Sequence, residues 1–492
     1  MWGAAARVLV FILAAAASVA AVAPARADDS LARVRQRGTL RWGGDLQGGE
    51  PYAFLDPKDT AHLTGFEVEI ATALAQRLGV RPEFVQNDWS TLIASLERGD
   101  FDIILNGLEV TAARRDRVLF TRPYYTFTET LVVRRATTSA HGLADLRGQR
   151  VGTLAGSFAF ELLRGHPDVE IVLYEGVQEP YVDLEQGRLA AVLLDNIIAD
   201  RYGLPRPTLR AAGEVARGTY AAALRPADLS LFEAVDAALA AIAADGELRA
   251  ILERWSLWDR HQAAVAATRE SPTAPASPAG LVWAHVPLFL RAAGVTVAIS
   301  TLAMALAVLG GLVLSLARRY GRPGVQTAGG LYVELFRGTP VLLQLYVLYY
   351  GLAPWLTLDA FTAAVLGLGM NYAAYESEIY RAGLAAVPIG QTEAALSLGM
   401  SRALTLRRIV LPQALRVALP GMANDFIALL KDSSLVSVIT VVELTKQMTI
   451  TAVDARSWLG AGVLCAALYL ALSYPLSRLA RRLERRLHPA GT

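Results

Sequence analysis

From residue 282 onward the chain carries apolar runs long enough to cross a bilayer, and no other feature constrains its folding as much. In hydrocarbon every backbone N–H and C=O must be paired inside the protein, so such continuous runs must be helices. Five spans are read, at about 288–316, 331–353, 360–384, 413–440 and 458–477. The charges between them give the orientation. Arg318, Arg319 and Arg322 follow the first span, Arg402, Arg407 and Arg408 lie between the third and fourth, and Arg478, Arg481, Arg482, Arg485 and Arg486 crowd the C-terminus. Residues 351–360 hold no Lys or Arg, and Lys446 and Arg456 between the last two spans are offset by Glu443 and Asp454. Basic segments stay on the cytoplasmic side. With the preceding half outside, five spans place all three basic segments, and the C-terminus, in the cytoplasm; four or six would leave the C-terminal arginines outside.

The first half reads differently. Residues 1–27 have the form of a secretory signal, with Arg7, an apolar stretch over 8–23 and the small-residue site Ala25-Arg26-Ala27. An uncleaved anchor is the alternative, and either way the next domain is exported. Residues 28–260 then alternate short strands with amphipathic helices, a parallel α/β pattern that runs twice. In GFEVEIATALAQRL, Phe66, Val68, Ile70, Leu74 and Leu78 share one helical face. Residues 261–281, rich in Ala, Pro, Ser and Thr, read as an extended linker to the membrane domain at 282–492.

Composition excludes several functions. No basic tract interleaved with aromatics points to nucleic acid. The single cysteine, Cys465, allows no intrachain disulfide, and the six histidines show no metal-ligand spacing. No metal and no cofactor is therefore expected. The phosphate-loop pattern G-x-x-x-x-G-K-[ST] is absent from the sequence, so ATP must be hydrolysed by another subunit if it is used.

Residues 391–412 read QTEAALSLGMSRALTLRRIVLP. Glu393, Ala394, Ala395, Gly399, Ile409, Leu411 and Pro412 match every position of the EAA loop, and the chain here resembles the permeases of bacterial ABC importers. Gly399 is placed to end a short helix, Ser401 to cap a second, and Pro412 to stop or bend that one. The resemblance implies a hairpin that docks on a cytoplasmic ATP-binding subunit through Glu393, Ala394, Ala395 and Gly399. The segment ELFRGTPVLLQ is shared with polar-amino-acid permeases. In AAYESEIYRAG, Glu376, Glu378 and Arg381 are costly inside a membrane and form a family signature whose role, substrate contact or brace, stays open.

The first half resembles periplasmic amino-acid-binding proteins of the polar-amino-acid family, through GFEVEIATALAQRLGV, DWSTLIASLERGDFDIILNGLEVTAARR, FTRPYY and DGELRAILERWSLW. The implied fold is two α/β lobes joined by two crossover strands, near 130–134 and 218–223, that close around ligand by hinge motion. An amino acid is a zwitterion, so its binder needs a fixed cation and a fixed anion. The resemblance assigns the carboxylate to Arg114, whose fork bonds it bidentately, and the ammonium to Asp195. It places Thr111 and Ser157 as added donors, with Asn106 and Gly107 beside them. Trp89 falls against the ligand, or in the core, and Asp45 reaches its far end. The chain departs from the pattern at Gly48 and Gly49, where an aromatic is usual, at an added Glu50, and at Glu109, where a small hydroxyl residue is usual. The two carboxylates favour a cationic or extended polar ligand, unless both are solvated at the rim.

The expected fold is thus a bilobed α/β binding domain followed by an all-α transmembrane domain of about five helices. The expected function is capture and import of a polar amino acid, without enzymatic activity of its own. Expected partners are the ligand, the ATP-binding subunit, a second copy forming a homodimer, and membrane lipid of the bacterial inner membrane. The alternatives are a ligand-sensing receptor or channel, which the EAA loop argues against, and a bilobed periplasmic dehydratase, for which no catalytic histidine lies near Arg114 or Asp195.

Overall fold

The computed structural model describes residues 28–487 except 57, 138–139, 260, 264–281 and 456. The signal segment, and the linker apart from 261–263, lie outside the described residues. The first half holds ten strands: β1 (Thr39–Gly44), β2 (Phe54–Asp56), β3 (Asp59–Thr64), β4 (Arg81–Gln86), β5 (Ile103–Ile104), β6 (Leu119–Arg134), β7 (Arg150–Leu154), β8 (Glu170–Tyr174), β9 (Ala191–Asp195) and β10 (Leu209–Leu224). Eight of them form one sheet in the order β4-β1-β5-β10-β6-β9-β7-β8, and β2 pairs with β3 as a flap. The outer strands are parallel within each lobe: β1 with β4 and β5, β7 with β8 and β9. The two 16-residue strands β6 and β10 run antiparallel across both lobes. They are the expected crossovers, and bulges interrupt their pairing, as at Tyr220/Ala221. Their continuity is what makes two lobes one sheet.

Helices cover each lobe. The first carries α1 (Ser30–Arg37), α2 (Phe66–Leu78), α3 (Leu92–Arg98) and α4 (Ala112–Arg115); the second carries α5 (Phe158–Arg164) and α6 (Glu179–Glu185). The chain returns to the first lobe with α7 (Leu229–Ala244) and α8 (Glu247–Arg254). The apolar face read for α2 is buried at Phe66, Ile70, Leu74 and Leu78, against Val235, Leu239 and Ile251. Gly79, at φ 75°, closes this helix in the left-handed conformation.

The membrane half is helical: α9 (Val286–Tyr320), α10 (Pro323–Gly338), α11 (Val341–Tyr346), α12 (Ala360–Ala386), α13 (Ile389–Ser397), α14 (Arg402–Thr405), α15 (Leu411–Asp432), α16 (Leu444–Asp454) and α17 (Trp458–Leu487). Two helical stretches, Val282–Tyr320 and Trp458–Arg482, are long and apolar enough to cross a bilayer by themselves. The expected spans at 288–316, 360–384 and 458–477 each fall inside one helix, α9, α12 and α17. The other two do not. The span at 331–353 breaks at Thr339-Pro340 between α10 and α11, where proline has no N–H to continue the helix, and then widens into a π turn over Val347–Gly351. The span at 413–440 is α15 followed by a 3₁₀ segment, Ser433–Ile439, that ends on Thr440 at φ 69°. A count of five continuous helices therefore does not describe this half.

Within 391–412, Gly399 ends α13 at φ 80° and the Ser401 hydroxyl accepts from the Leu404 N–H, as expected. Pro412 does not stop the second helix. The chain passes from α14 through a π turn, Leu406–Val410, and continues into α15 with Pro412 at its second residue. The hairpin packs Leu406, Val410 and Ala414 on Leu316 of α9 and Leu384 of α12. Glu378 pairs with both Arg318 and Arg381, so this part of the signature braces α9 against α12. Glu376 is fully buried with neither carboxylate oxygen bonded among the described residues.

Candidate functional site

The site lies between the lobes, at strand ends where the sheet hands the chain to helices. Its walls are Asp45, Gln47, Gly48, Tyr52, Trp89, Asn106, Gly107, Glu109, Leu154, Ser157, Glu175, Val177, Leu194, Asp195 and Ile198. Seven of the residues expected from the sequence (Asp45, Trp89, Asn106, Gly107, Glu109, Ser157 and Asp195) meet here. Thr111 and Arg114 stand just behind Glu109.

The lobes are closed on one another. Trp89 Nε1 donates to the Ala155 carbonyl at 3.3 Å, Arg114 to the Gly156 carbonyl at 2.8 Å, and the Phe158 N–H to Glu109 at 3.0 Å. Tyr52 donates to Asp195 at 3.0 Å. At the rim Glu50 pairs with Arg201 and Tyr202 reaches the Gly48 carbonyl, so the inserted glutamate is solvated and paired outside the pocket.

Arg114 is positioned by the short helix α4, which Thr111 caps by accepting from the Arg114 N–H. Its guanidinium reaches Glu109 at 2.9 Å, the Glu109 carbonyl at 2.8 Å, and lies 5.0 Å from the Trp89 ring centroid. The substituted residue Glu109 therefore engages the very fork expected to hold a carboxylate. Asp195 ends β9 and caps the next turn by accepting from the Ile198 N–H. Asp45 accepts from the backbone of Gln47 and Trp89, at 2.8 and 3.1 Å, and so fixes the wall opposite. Ser157 caps α5.

Four contributors went unread in the sequence. Tyr52 lies against Gly48, while the Tyr202 hydroxyl covers Gly49; only the closeness of Tyr52 to that glycine pair in the chain signalled it. Glu67 on α2 is fully buried and accepts from the Gly107 N–H and the Tyr124 hydroxyl, which fixes the Asn106-Gly107 wall. Glu129 on β6 sits in register with Asp195 on β9, fully buried, with neither oxygen bonded among the described residues. Glu175, after β8, lines the mouth.

Burial dominates the site's electrostatics. It pushes the Asp195 carboxyl up to about 6, against the Ile198 N–H and the Tyr52 hydroxyl that hold it down. Burial likewise raises Glu109 to about 7, opposed by Arg114 and reinforced by Asp195. Glu129 rises well above the usual range through burial and the neighbouring Glu109 and Asp195. The site is thus a crowded group of carboxyls with one guanidinium, already engaged.

The second lobe also touches the membrane half. Asp183 on α6 is bonded by Arg188 at 2.8 Å, by the Tyr174 hydroxyl at 2.6 Å and by the hydroxyl of Tyr349, from the π turn after α11, at 2.8 Å. Arg188 donates to the Tyr349 carbonyl at 3.0 Å and stacks 4.1 Å from its ring centroid. Lys446 on α16 pairs with Glu175.

Comparisons with known proteins agree with this division. Residues 42–257 match the bacterial extracellular solute-binding proteins, family 3, and residues 307–489 match the binding-protein-dependent transport system inner membrane component. The glutamine transport system permease protein GlnP of Escherichia coli (strain K12) is 38% identical over 210 residues, 42% of this chain and 95% of that protein. The probable amino-acid ABC transporter permease protein PatM of Vibrio harveyi is 35% identical over 209 residues, 42% of this chain and 94% of that one. Among solved structures, an ancestral arginine-binding protein bound to arginine is 31% identical, with a TM-score of 0.42 over 44% of this chain and 98% of its own. The chain belongs to the inner-membrane components of binding-protein-dependent transport systems, with a family 3 solute-binding domain fused in front, and is the binding and permease part of an amino-acid ABC importer.

Proposed function

We propose that the imported amino acid carries a positive side chain. One observation carries this reading: Asp45, Glu109, Glu175 and Asp195 line a single pocket, Glu129 stands behind it, and the cations that reach it, Arg114 and Lys446, are already paired with Glu109 and Glu175, which leaves Asp45, Asp195 and Glu129 without a cation among the described residues. Unbalanced carboxylates in a closed cleft are costly, and an arriving cation relieves that cost. Names of permease relatives do not choose among side chains, since they include glutamine and octopine systems. In this reading Asp195 takes the ligand ammonium and Arg114 with Ser157 its carboxylate. Glu109, released from Arg114 or shared with it, and Glu175 face the side chain, Trp89 and Tyr52 close over it, and Asp45, Asn106, Gly107 and Thr111 shape the walls.

The binding domain, residues 28–260, delivers ligand to its own membrane domain, residues 282–492, across a tether that keeps its effective concentration high. Five crossings, with the C-terminus in the cytoplasm, fit the arginine distribution. The binding domain touches Tyr349 and Lys446, which belong to segments this topology places outside, while the 391–412 hairpin packs at the far end of α9. Glu393, Ala394 and Gly399 are exposed on that hairpin with Leu398, a surface for the ATP-binding subunit, while Ala395 packs inward. Two copies form the translocation path, and outward leucines such as Leu309 and Leu470 face lipid. Calorimetry on the full chain in nanodiscs tests the ligand: L-arginine or L-lysine should bind more tightly than L-glutamine, and L-glutamate should not bind. A preference for L-glutamate would refute the charge argument.

A further inference from the structure

Lys446 is the point where the membrane half reaches the ligand pocket. Its side chain is 2% exposed, and its ammonium pairs with Glu175, whose side chain is 44% exposed at the pocket mouth. The lysine is held rigidly. Its N–H donates to Glu443 at 2.7 Å, and Glu443 also accepts from the Thr445 N–H at 2.7 Å and the Tyr469 hydroxyl at 3.0 Å. Two residues before the lysine, the Leu444 N–H donates to the Thr296 hydroxyl of α9 at 3.3 Å. Glu175 is placed just as firmly. It follows Tyr174, whose hydroxyl bonds Asp183 in the buried contact with Tyr349 and Arg188. That contact fixes the second lobe on the membrane half and sets Glu175 opposite Lys446.

We infer that Lys446 is a release element: docking places its ammonium on Glu175, withdrawing one carboxylate from a cationic ligand. The inference rests on the positively charged ligand proposed above. Undocked, Glu175 is free to face the ligand side chain. Docked, it is neutralised by a cation of the same sign as the ligand, and the pocket's hold on that ligand weakens. The coupling is reciprocal, so bound cation must weaken the Lys446–Glu175 contact by the same factor. A neutral ligand has no stake in Glu175 and should be indifferent to it.

The test compares radiolabelled L-arginine and L-glutamine on the full chain in nanodiscs, for wild type, Lys446→Gln, Lys446→Arg and Glu175→Gln. Lys446→Gln should bind L-arginine roughly fivefold or more tightly, with slower release, and L-glutamine unchanged. Lys446→Arg should behave as wild type. Glu175→Gln should weaken L-arginine and, combined with Lys446→Gln, abolish the gain. Should Lys446→Gln fail to insert, Glu175→Gln decides: unchanged L-arginine affinity overturns the proposal. Equal L-arginine affinity in wild type and Lys446→Gln also overturns it, as does an equal shift for both ligands, which marks Lys446 as a docking contact alone. In those cases L-arginine still binds wild type and the pocket reading stands. Wild type that binds L-glutamine but not L-arginine removes both.

Discussion

The ligand pocket and the contact between second lobe and membrane half treat buried charge in opposite ways. At the contact, the Asp183 carboxylate accepts three hydrogen bonds, from Arg188, Tyr174 and Tyr349, and Arg188 donates to Asp183 and to the Tyr349 carbonyl. Behind the pocket, Glu129 has neither carboxylate oxygen bonded among the described residues, and in the pocket Glu109 and Asp195 are pushed toward their neutral forms by burial. At the contact the carboxylate is fully paired, with only Arg188 Nε left without a partner among the described residues. An unsatisfied network marks where something is to arrive, because leaving it empty costs stability that only a ligand repays.

That contrast can be broken at several places. The largest effect should come from Asp195→Asn, which removes the anion facing the ligand ammonium. L-arginine affinity should fall by about 2–5 kcal/mol in calorimetry, with the fold kept. Little change would make the pocket's charge incidental. Arg188→Ala should come next, since it leaves Asp183 buried without its cation, and the loss of about 3–5 kcal/mol is divided between second-lobe stability and docking, so that each shows less than the change in ligand affinity. Cross-linking between cysteines placed at exposed positions on either side should drop, while L-arginine still binds. Intact docking would show that the network only stabilises α6.

The pH response sharpens the comparison further. Asp195 and Glu109 titrate near 6 and 7 in the closed cleft, above their ordinary values, so at pH 5.5 they hold protons that a cationic ligand must displace. L-arginine affinity should therefore rise from pH 5.5 to 8, with proton release on binding, by at most about 1.4 kcal/mol per unit for each group. Stability without ligand runs the other way. The folded state binds more protons than the unfolded one between about 4 and 7, so stability contributed by these carboxyls is present at low pH and lost as pH rises through the folded values. Glu67, also raised to about 7 by burial, adds to the same trend. An affinity that is flat with pH would mean that these groups do not exchange protons with the ligand.

The smallest local cost belongs to Gly399→Asp. Nothing crowds a Cβ there, so only the positive φ opposes it, by about 1–2 kcal/mol. L-arginine affinity should not change, yet with the ATP-binding subunit present, ligand should no longer stimulate hydrolysis in proteoliposomes. Normal stimulation would remove the hairpin as the coupling element.

Much of this was legible in the residues. The apolar face of α2, Gly399 and the Ser157 cap follow from local rules that tertiary packing did not override, while the crossovers came from the resemblance. The pocket residues were expected from the resemblance, and Arg114, Thr111 and Asp195 stand at the strand and helix ends. What pairs with what was not legible. Glu109 was read as an added charge, but its capture of Arg114 depends on a turn that brings positions five apart face to face. Glu129 went unread, because its place follows from the register of β6 with β9, opposite Asp195. Lys446 was read only as a weak loop charge, because its partner lies 271 residues away.

Helix α9 gives the two ends of the molecule a mechanical connection. Its 35 residues span about 52 Å, well beyond the ~30 Å hydrocarbon core. Near its start, Phe289 and Ala292 pack with Leu444 and Cys465, beside the lysine that meets the binding domain. Near its end, Leu316 packs with Val410 and Ala414 of the hairpin, and Arg318 holds Glu378. A rod of this length is a lever: a tilt of ~5° at the outer end displaces the inner end by about 4–5 Å, close to one helical turn. Movements too small to unpack the outer contact would thus arrive at the ATP-binding side as steps large enough to exchange one set of side-chain neighbours for the next.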